Sequence, residues 1–376
     1  MEKIVVDNDS IKCIVKNKYE QNNKVIDLSD LDTSECTSIT CLFDEMTKLE
    51  EIRGFNSLNL SNVKCMSYMC YKCHSLKEIN LSGLNLSNVV DMSYMCSSCH
   101  SLKSLDLSGV DLSNVVDMSY MCESCHLLKK LDLLGLDLHN VVDMTGMFGR
   151  CVSLKELDLS GLDLHNVKDM SYMCNKCHSL KTLNLTNTNL SNVADMSGMF
   201  DRCYSLKKLD LSGLDLHNVK DISWLCKCCH SLKELNISGL NLSNVNNISG
   251  MCYKCCSLKS LNLSGLNLSN VKNMSWLCKC CYSLKELNLS GLNLSNVKNM
   301  SSMCNCCYSL KKLDLLGLDL SNVKDISWMC EGCNSLIDFK VDEQYYNKFK
   351  EIIDDVLTRR NSLSSTNNDM LKIPTI

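Results

Sequence analysis

Proline is almost absent from this sequence of 376 residues, which contains one, Pro374. Because proline lacks the N–H that a strand ladder needs, its near absence is compatible with uninterrupted ladders along the chain. Long apolar runs are also missing, since no stretch approaches the roughly 18 apolar residues of a membrane-spanning helix. The N-terminus has no signal-peptide pattern. We therefore expect a cytoplasmic protein that does not bind a membrane.

A strong charge imbalance and the common catalytic motifs are missing as well. The formal net charge is -4 and the sequence pI is about 6.1, so the chain has no basic footprint for nucleic acid. The sequence contains no GxSxG and no glycine-rich phosphate loop, and its histidines fall only at two recurring positions. These observations predict a protein without enzymatic activity, cofactor or nucleic-acid partner.

What the sequence does have is a repeat. Leucine recurs every 26 residues from Leu76 to Leu336 without a slip. A fixed period of this length predicts a solenoid, in which each unit buries its apolar face on its neighbours. The chain should therefore be one elongated array of about twelve units that is monomeric.

Each unit is numbered here from its first leucine, so that Leu76 is position 1. Positions 4 and 6 alternate with polar neighbours as in a strand, a Ser-Gly turn follows, and positions 9, 11 and 14 mark a second extended leg. Positions 17, 20, 21 and 24 have the i, i+3, i+4, i+7 spacing of a helix face. The pattern predicts an α/β solenoid, a right-handed superhelix with a parallel sheet on one face and short helices on the other.

The ends of the chain depart from the repeat. In residues 1–22, two β-rich runs flank the turn-forming segment 7–10, which predicts an N-terminal hairpin cap. The solenoid should cover residues 23–341, beginning with degraded units. Residues 342–362 have an apolar side that predicts a C-terminal capping helix, and the polar residues 363–376 predict a disordered tail.

The run MFxxCxxLxxLxLS occurs at Met147-Phe148 to Leu154 and again at Met199-Phe200 to Leu206. It resembles the BspA-type leucine-rich repeat family, in particular its NVxxMxxMFxxC subgroup, over roughly residues 23–341. The resemblance implies a leucine-rich-repeat fold and a non-catalytic interaction protein. Many members are displayed on surfaces, but this chain lacks an export signal and usually has cysteine where the family has phenylalanine at position 21.

Positions 21 and 24 form CxxC pairs in most units, and five of the pairs are followed by histidine. Taken alone, CxxCH is the attachment signature of haem c. In two units, however, Phe148 and Phe200 replace the first cysteine. Exchange of cysteine for phenylalanine is typical of a buried apolar position. We therefore favour core thiols over haem or structural zinc. A thiol-rich metal-binding or redox module that uses these pairs is the alternative function.

The outward strand positions 3, 5 and 7 are the face on which leucine-rich repeat proteins commonly hold partners. We therefore predict a non-enzymatic scaffold that binds a protein partner there. Aspartates recur at position 5 in successive units, with glutamate or lysine nearby. The candidate partner-binding residues are Glu78, Asp106, Lys130, Asp132, Glu156 and Asp158. Catalytic and metal-ligating residues are not predicted.

Overall fold

Short parallel strands recur in most repeats of the computed structural model, which describes the backbone of residues 3–370 and the side chains of residues 3–362. They build a parallel β-solenoid of about 13 turns with a spacing of about 26 residues. The elements before the regular repeats are β1 (Ile4–Val5), α1 (Asn8–Gln21), β2 (Val25–Asp27), β3 (Leu31–Asp32), β4 (Glu51–Arg53) and a 3-10 helix (Phe55–Ser57).

In the regular repeats the strands occupy positions 3 to 5, and we call this side of the solenoid the strand face. They are β5 (Glu78–Asn80), β6 (Ser104–Asp106), β7 (Glu156–Asp158), β8 (Thr182–Asn184), β9 (Lys208–Asp210), β10 (Glu234–Asn236), β11 (Ser260–Asn262), β12 (Glu286–Asn288), β13 (Lys312–Asp314) and β14 (Asp338–Lys340). Consecutive strands pair in twos, and the unit that starts at Leu128 has no strand. The predicted sheet is therefore a series of short ladders.

The predicted short helices on the other face are wrong. Positions 16 to 23, here called the turn face, form a series of consecutive turns. In one of them, Met95 N–H donates to the carbonyl of Met92 at 3.3 Å. Tyr94 and Ser98 have φ values of 54° and 62°, in the left-handed region. Helix-like spacing predicted the buried side chains correctly, but not the backbone, because neighbouring units supply the acceptors that a helix would find within itself.

On the turn face, the N–H groups at positions 17, 19, 21 and 23 donate to the following unit, whereas in several units the N–H of position 16 donates back, as that of Asp91 does to the carbonyl of Lys64 at 3.3 Å. The N–H groups of Met92, Tyr94 and Cys96 each donate at 2.9 Å to a carbonyl of the following unit. Position 16 bridges to position 16 of the next unit without a break from Ser38 to Asp325. Of the two faces, the turn face thus carries the continuous ladder.

Asparagines at position 13 satisfy backbone groups between units. The side-chain amide of Asn88 donates to the carbonyl of Ser61 at 2.6 Å, and that of Asn114 donates to Ser87 at 2.7 Å. Together with the Leu, Val, Met and Cys side chains of one continuous core, these amides tie each turn to the one before it.

The predicted N-terminal hairpin is also wrong, because residues 8–21 form helix α1. Asp7, interpreted from the sequence as part of a turn, is its N-cap and accepts from Ser10 N–H at 2.8 Å. The side chain of Asn8 accepts from Thr37 N–H at 2.8 Å, and Tyr19 accepts from Lys48 N–H at 3.3 Å. Helix α1 thereby covers the first turn of the array.

At the C-terminus, a 3-10 helix (Glu343–Tyr345) leads into α2 (Lys350–Met370). Phe349 and Val356 are buried against the last turn. The helix includes the first part of the predicted disordered tail, 363–376, whereas residues 371–376 lie outside the described residues. Among the described residues, the helices are all too short or too polar to cross a membrane.

Replacing Gly198 by alanine should destabilise the solenoid by at least about 2 kcal/mol. Gly198 has a φ of 58°, and an added Cβ would lie 2.5 Å from Cε1 of Tyr172. The matched control is Gly213→Ala, with a φ of 81° and open space around its Cβ, which should cost about 1 kcal/mol. Urea unfolding monitored by circular dichroism measures both. Equal losses would show that the packing of Tyr172 on Gly198 is unimportant.

Candidate functional site

The six predicted partner-binding residues all lie on the strand face, but in two different settings. Glu78, Asp106 and Glu156 are exposed at strand positions, and Asp158 is half-buried at the end of β7. Lys130 and Asp132 are exposed in the unit that has no strand. The face is therefore accessible at its predicted residues, although its centre is not a continuous sheet.

Four of the six residues surround one shallow depression of about 390 Å³. Glu78, Asp106, Lys130 and Asp132 line it, whereas Glu156 and Asp158 do not. The Lys130 ammonium lies 3.3 Å from the Asp132 carboxylate, an exposed ion pair that contributes little to stability. Three carboxylates against one ammonium leave the depression acidic.

Hydrogen bonds lower the pKa of two carboxylates in this region. Hydrogen bonds from Ser108 hold the pKa of Asp106 below its ordinary value, and those from Ser160 do the same for Asp158. The Asp106 carboxylate accepts from Ser108 N–H at 2.9 Å. Asn80 accepts from Ser82 N–H in the same way, also at 2.9 Å. Aspartate and asparagine thus make the same turn at position 5 and differ only in charge.

Sequence reasoning missed Leu134, which is 49 % exposed on the strand face. It lines a second depression of about 350 Å³ together with Asp106 and Asp132. The signal was present, because position 7 is serine or threonine in most units and leucine only at Leu134 and Leu316. An exposed leucine between two carboxylates supplies the apolar contact that the predicted site lacked.

The CxxC thiols lie in the core, as inward packing predicted. Cys96 and Cys99 are fully buried, and so is Phe148, which stands at position 21 in another unit. The Cys99 thiol donates to the carbonyl of Cys70 at 3.0 Å, and Cys125 donates to Cys96 at 3.2 Å. Within residues 3–362, no group of three or more Cys, His, Asp or Glu side chains is arranged to hold a metal ion.

Position 16 is a second acidic column that sequence reasoning did not single out. Six successive units carry aspartate there: Asp91, Asp117, Asp143, Asp169, Asp195 and Asp221. Each accepts a hydrogen bond from the backbone N–H two residues later, at distances from 2.9 Å for Asp91 to 2.6 Å for Asp221. These half-buried carboxylates satisfy turn donors, and the geometry assigns them a structural role.

Histidines at position 25 stack in a column beside the turn face. The rings of His74, His100 and His126 lie 4.5 Å apart between centroids. Partial burial, and then the charges of its two neighbours, lower the pKa of His100. The imidazole of His100 therefore resists protonation.

Thiol labelling of the folded protein should modify two cysteines quickly. Cys13 and Cys41 are exposed, and four others, Cys65, Cys228, Cys256 and Cys306, are half-buried and should react slowly. The remaining 22 of the 28 cysteines, 28 minus 6, are buried and should react only on unfolding. Mass spectrometry after timed alkylation checks this. Prompt modification of Cys96 or Cys99 would contradict core burial.

The variant His100→Tyr should lose less stability than wild type when the pH falls from about 7 to 5. Because the pKa of His100 is lowered on folding, the unfolded chain binds the proton first, near its ordinary pKa of about 6.5. Tyrosine fits the column, since Tyr204 stacks on His178 at 4.5 Å. Urea midpoints at several pH values measure the difference. An unchanged pH dependence would argue against titration of His100.

Comparisons with known proteins bear on the fold and on the family. A search of curated proteins finds no match. A leucine-rich repeat protein from Bacteroides ovatus is 17 % identical over 85 % of this chain and 73 % of that chain, with a TM-score of 0.42. One from Eubacterium ventriosum is 14 % identical over 88 % of this chain and 87 % of that chain, with a TM-score of 0.38.

A family model matches the array three times in succession, over residues 13–134, 128–234 and 221–342. These matches include both the degraded first units and all the regular ones, so they cover the whole solenoid. The chain therefore belongs to the family described as "Mycoplasma protein of unknown function, DUF285".

Proposed function

We propose that this protein is a non-enzymatic scaffold that holds a basic segment of a partner protein on the acidic part of its strand face. The observation that carries the proposal is the grouping of Glu78, Asp106 and Asp132 around one depression, with exposed Leu134 beside it. A partner with lysine or arginine next to an apolar side chain matches this arrangement in charge and in polarity.

The rest of the strand face helps to explain why the partner would choose this place. Farther along, the corresponding position 5 residues are asparagine in most units, for example Asn236, Asn262 and Asn288. Asparagine keeps the turn but removes the charge, so attraction for a basic segment is concentrated in the first half of the array.

We further propose that the protein works in the cytoplasm and that it is a scaffold rather than a metal-binding or redox module. All 28 cysteines are free in the structure, and a column of buried reduced thiols suits a reducing interior such as the cytoplasm. The resemblance of the Met-Phe units to the BspA-type subgroup supports an interaction role. The thiols of the CxxC pairs are used in packing, which favours the scaffold over the metal or redox alternative.

The double variant Asp106→Asn/Asp132→Asn should retain at least about five-fold less of a specific partner in a quantitative pull-down from the native host at low salt. Asparagine preserves the hydrogen bond to the following N–H, so the fold is kept and two charges are lost. The matched control is Asp210→Asn/Asp314→Asn, at the same repeat position outside the depression. Equal retention by test and control variants would refute the proposed site.

A further inference from the structure

The last turn of the turn face has an unpaired edge. In the preceding unit, the N–H groups of Met300, Ser302, Cys304 and Cys306 donate to carbonyls of the last turn at 2.8, 2.8, 2.9 and 2.7 Å. The equivalent donors of the last turn belong to Ile326, Trp328, Cys330 and Gly332. Within the described residues these four N–H groups have no acceptor, because no unit follows.

We call residues 326–332 the donor edge, because it presents donors without acceptors. The carbonyls of Ser327 and Met329 point back to the preceding unit, and the carbonyl of Trp328 is used within the turn by Glu331 N–H. Two donor edges cannot pair, which excludes a symmetric dimer through this edge. An ordinary strand also fits poorly, since its own N–H groups would face those of the edge.

The other sides of this end are covered, which sets the donor edge apart. The ammonium of Lys348 donates to the carbonyls of Leu320 and Val323, both at 2.9 Å, and Arg359 donates to that of Leu336 at 3.1 Å. Between the donor edge and the start of α2 lies a groove of about 730 Å³. The capping segment therefore leaves one opening, and the donor edge forms its wall.

The groove carries no net charge. Its basic residues are Lys324, Lys348, Lys350 and Arg359, and its acidic residues are Asp325, Glu331, Glu351 and Asp355. Four positive and four negative side chains give no preference for an anion. Neutral peptide carbonyls are therefore better acceptors for the donor edge than a phosphate or a carboxylate.

Trp328 adds a requirement for a small residue. It is 67 % exposed, whereas Trp224, at the same position, lies over Gly250 of the next unit, where an added Cβ would be 2.3 Å from the indole. Ser302 occupies the same position in the unit after Trp276. Trp328 lacks the small residue that follows both of the other tryptophans.

Helix α1 prevents a second copy of this chain from supplying the missing turn. The acceptor edge of the first turn, residues 38–44, lies beside α1, which is fixed to Thr37 at one end and to Lys48 at the other. Head-to-tail stacking would have to displace this helix. The occupant of the donor edge must come from another protein.

From these observations we infer that the donor edge is a docking site for a turn segment of a partner protein. The segment presents carbonyls at every second residue and places glycine or serine under Trp328. Residues 194–203 of this chain show the required form, since the carbonyls of Asp195, Ser197, Met199 and Asp201 accept from the preceding unit at 3.0, 2.9, 2.9 and 2.7 Å. This site is separate from the acidic strand face.

The probe is a synthetic peptide of residues 194–203 with serine in place of Cys203, titrated into the full ¹⁵N-labelled chain. Backbone amide signals of Ile326, Trp328, Cys330 and Gly332 should shift, and their hydrogen exchange should slow. The amides of residues 300–306, which are already bonded, serve as the internal reference. A peptide carrying Gly198→Val should bind at least about ten-fold more weakly, because its side chain collides with the indole.

Two protein variants test the same contact. Trp328→Gly should weaken binding of the peptide, and its fold is secure because glycine occupies this position in three other units with φ values of 57° to 60°. Trp276→Gly is the matched control and should bind as wild type does. Asp106→Asn/Asp132→Asn should also bind the peptide normally, so this result is independent of the proposed function.

Several results would overturn the inference. No shift at the donor edge, or equal shifts with the valine peptide, would show that no turn segment docks there. Equal shifts with sodium acetate would identify a general anion site. Slow exchange of the four amides in dilute free protein would mean that the chain's own residues 371–376 cover them, and concentration-dependent shifts without peptide would indicate self-association.

Discussion

The backbone hydrogen bonds between units on the turn face are the interaction on which the rest of the structure depends. They link every turn to the next without a break, whereas the strand face breaks into ladders of two strands. Residues that adopt a left-handed conformation between two stacked units of this face, such as Tyr94 and Ser98, have their N–H groups fixed by the following turn. A single unit could not hold this shape alone. Each turn therefore adopts its local structure only when it stacks on a neighbouring turn.

The same stacking explains the unusual core. Positions 21 and 24 face the interior close to backbone carbonyls of adjacent turns, and a thiol there fills a small volume and donates a weak hydrogen bond. Cys99 and Cys125 both use their S–H in this way. Phenylalanine at Phe148 and Phe200 shows that position 21 tolerates a larger side chain, whereas position 24 is cysteine in every regular unit.

Much of the architecture could be predicted from the sequence, because the repeated units can be aligned and compared with one another. The period and the buried positions followed from which residues vary between units. The backbone of the turn face could not be predicted, since the spacing of Met92, Met95, Cys96 and Cys99 fits a helix and a series of turns equally well. Only the acceptors of the next unit distinguish the two.

The candidate site, too, could be predicted only in part. Charge patterning located the acidic residues, and the structure brings Glu78, Asp106, Lys130 and Asp132 together. It leaves Glu156 and Asp158, in the next unit along the array, outside the depression. Leu134 was visible as an exception to a repeated serine, and position 7 leaves a leucine exposed also at Leu316, in a unit that has a strand.

The repetition of the same hydrogen bonds from unit to unit also bears on how such a chain can change in length. Each turn receives the same acceptor pattern from one side and offers the same donor pattern on the other. Helix α1 and the segment that leads into α2 therefore meet identical surfaces whether the array has ten units or fifteen. Duplication or loss of 26 codons leaves both ends of the protein in register, so unequal recombination within the gene yields folded proteins of graded length.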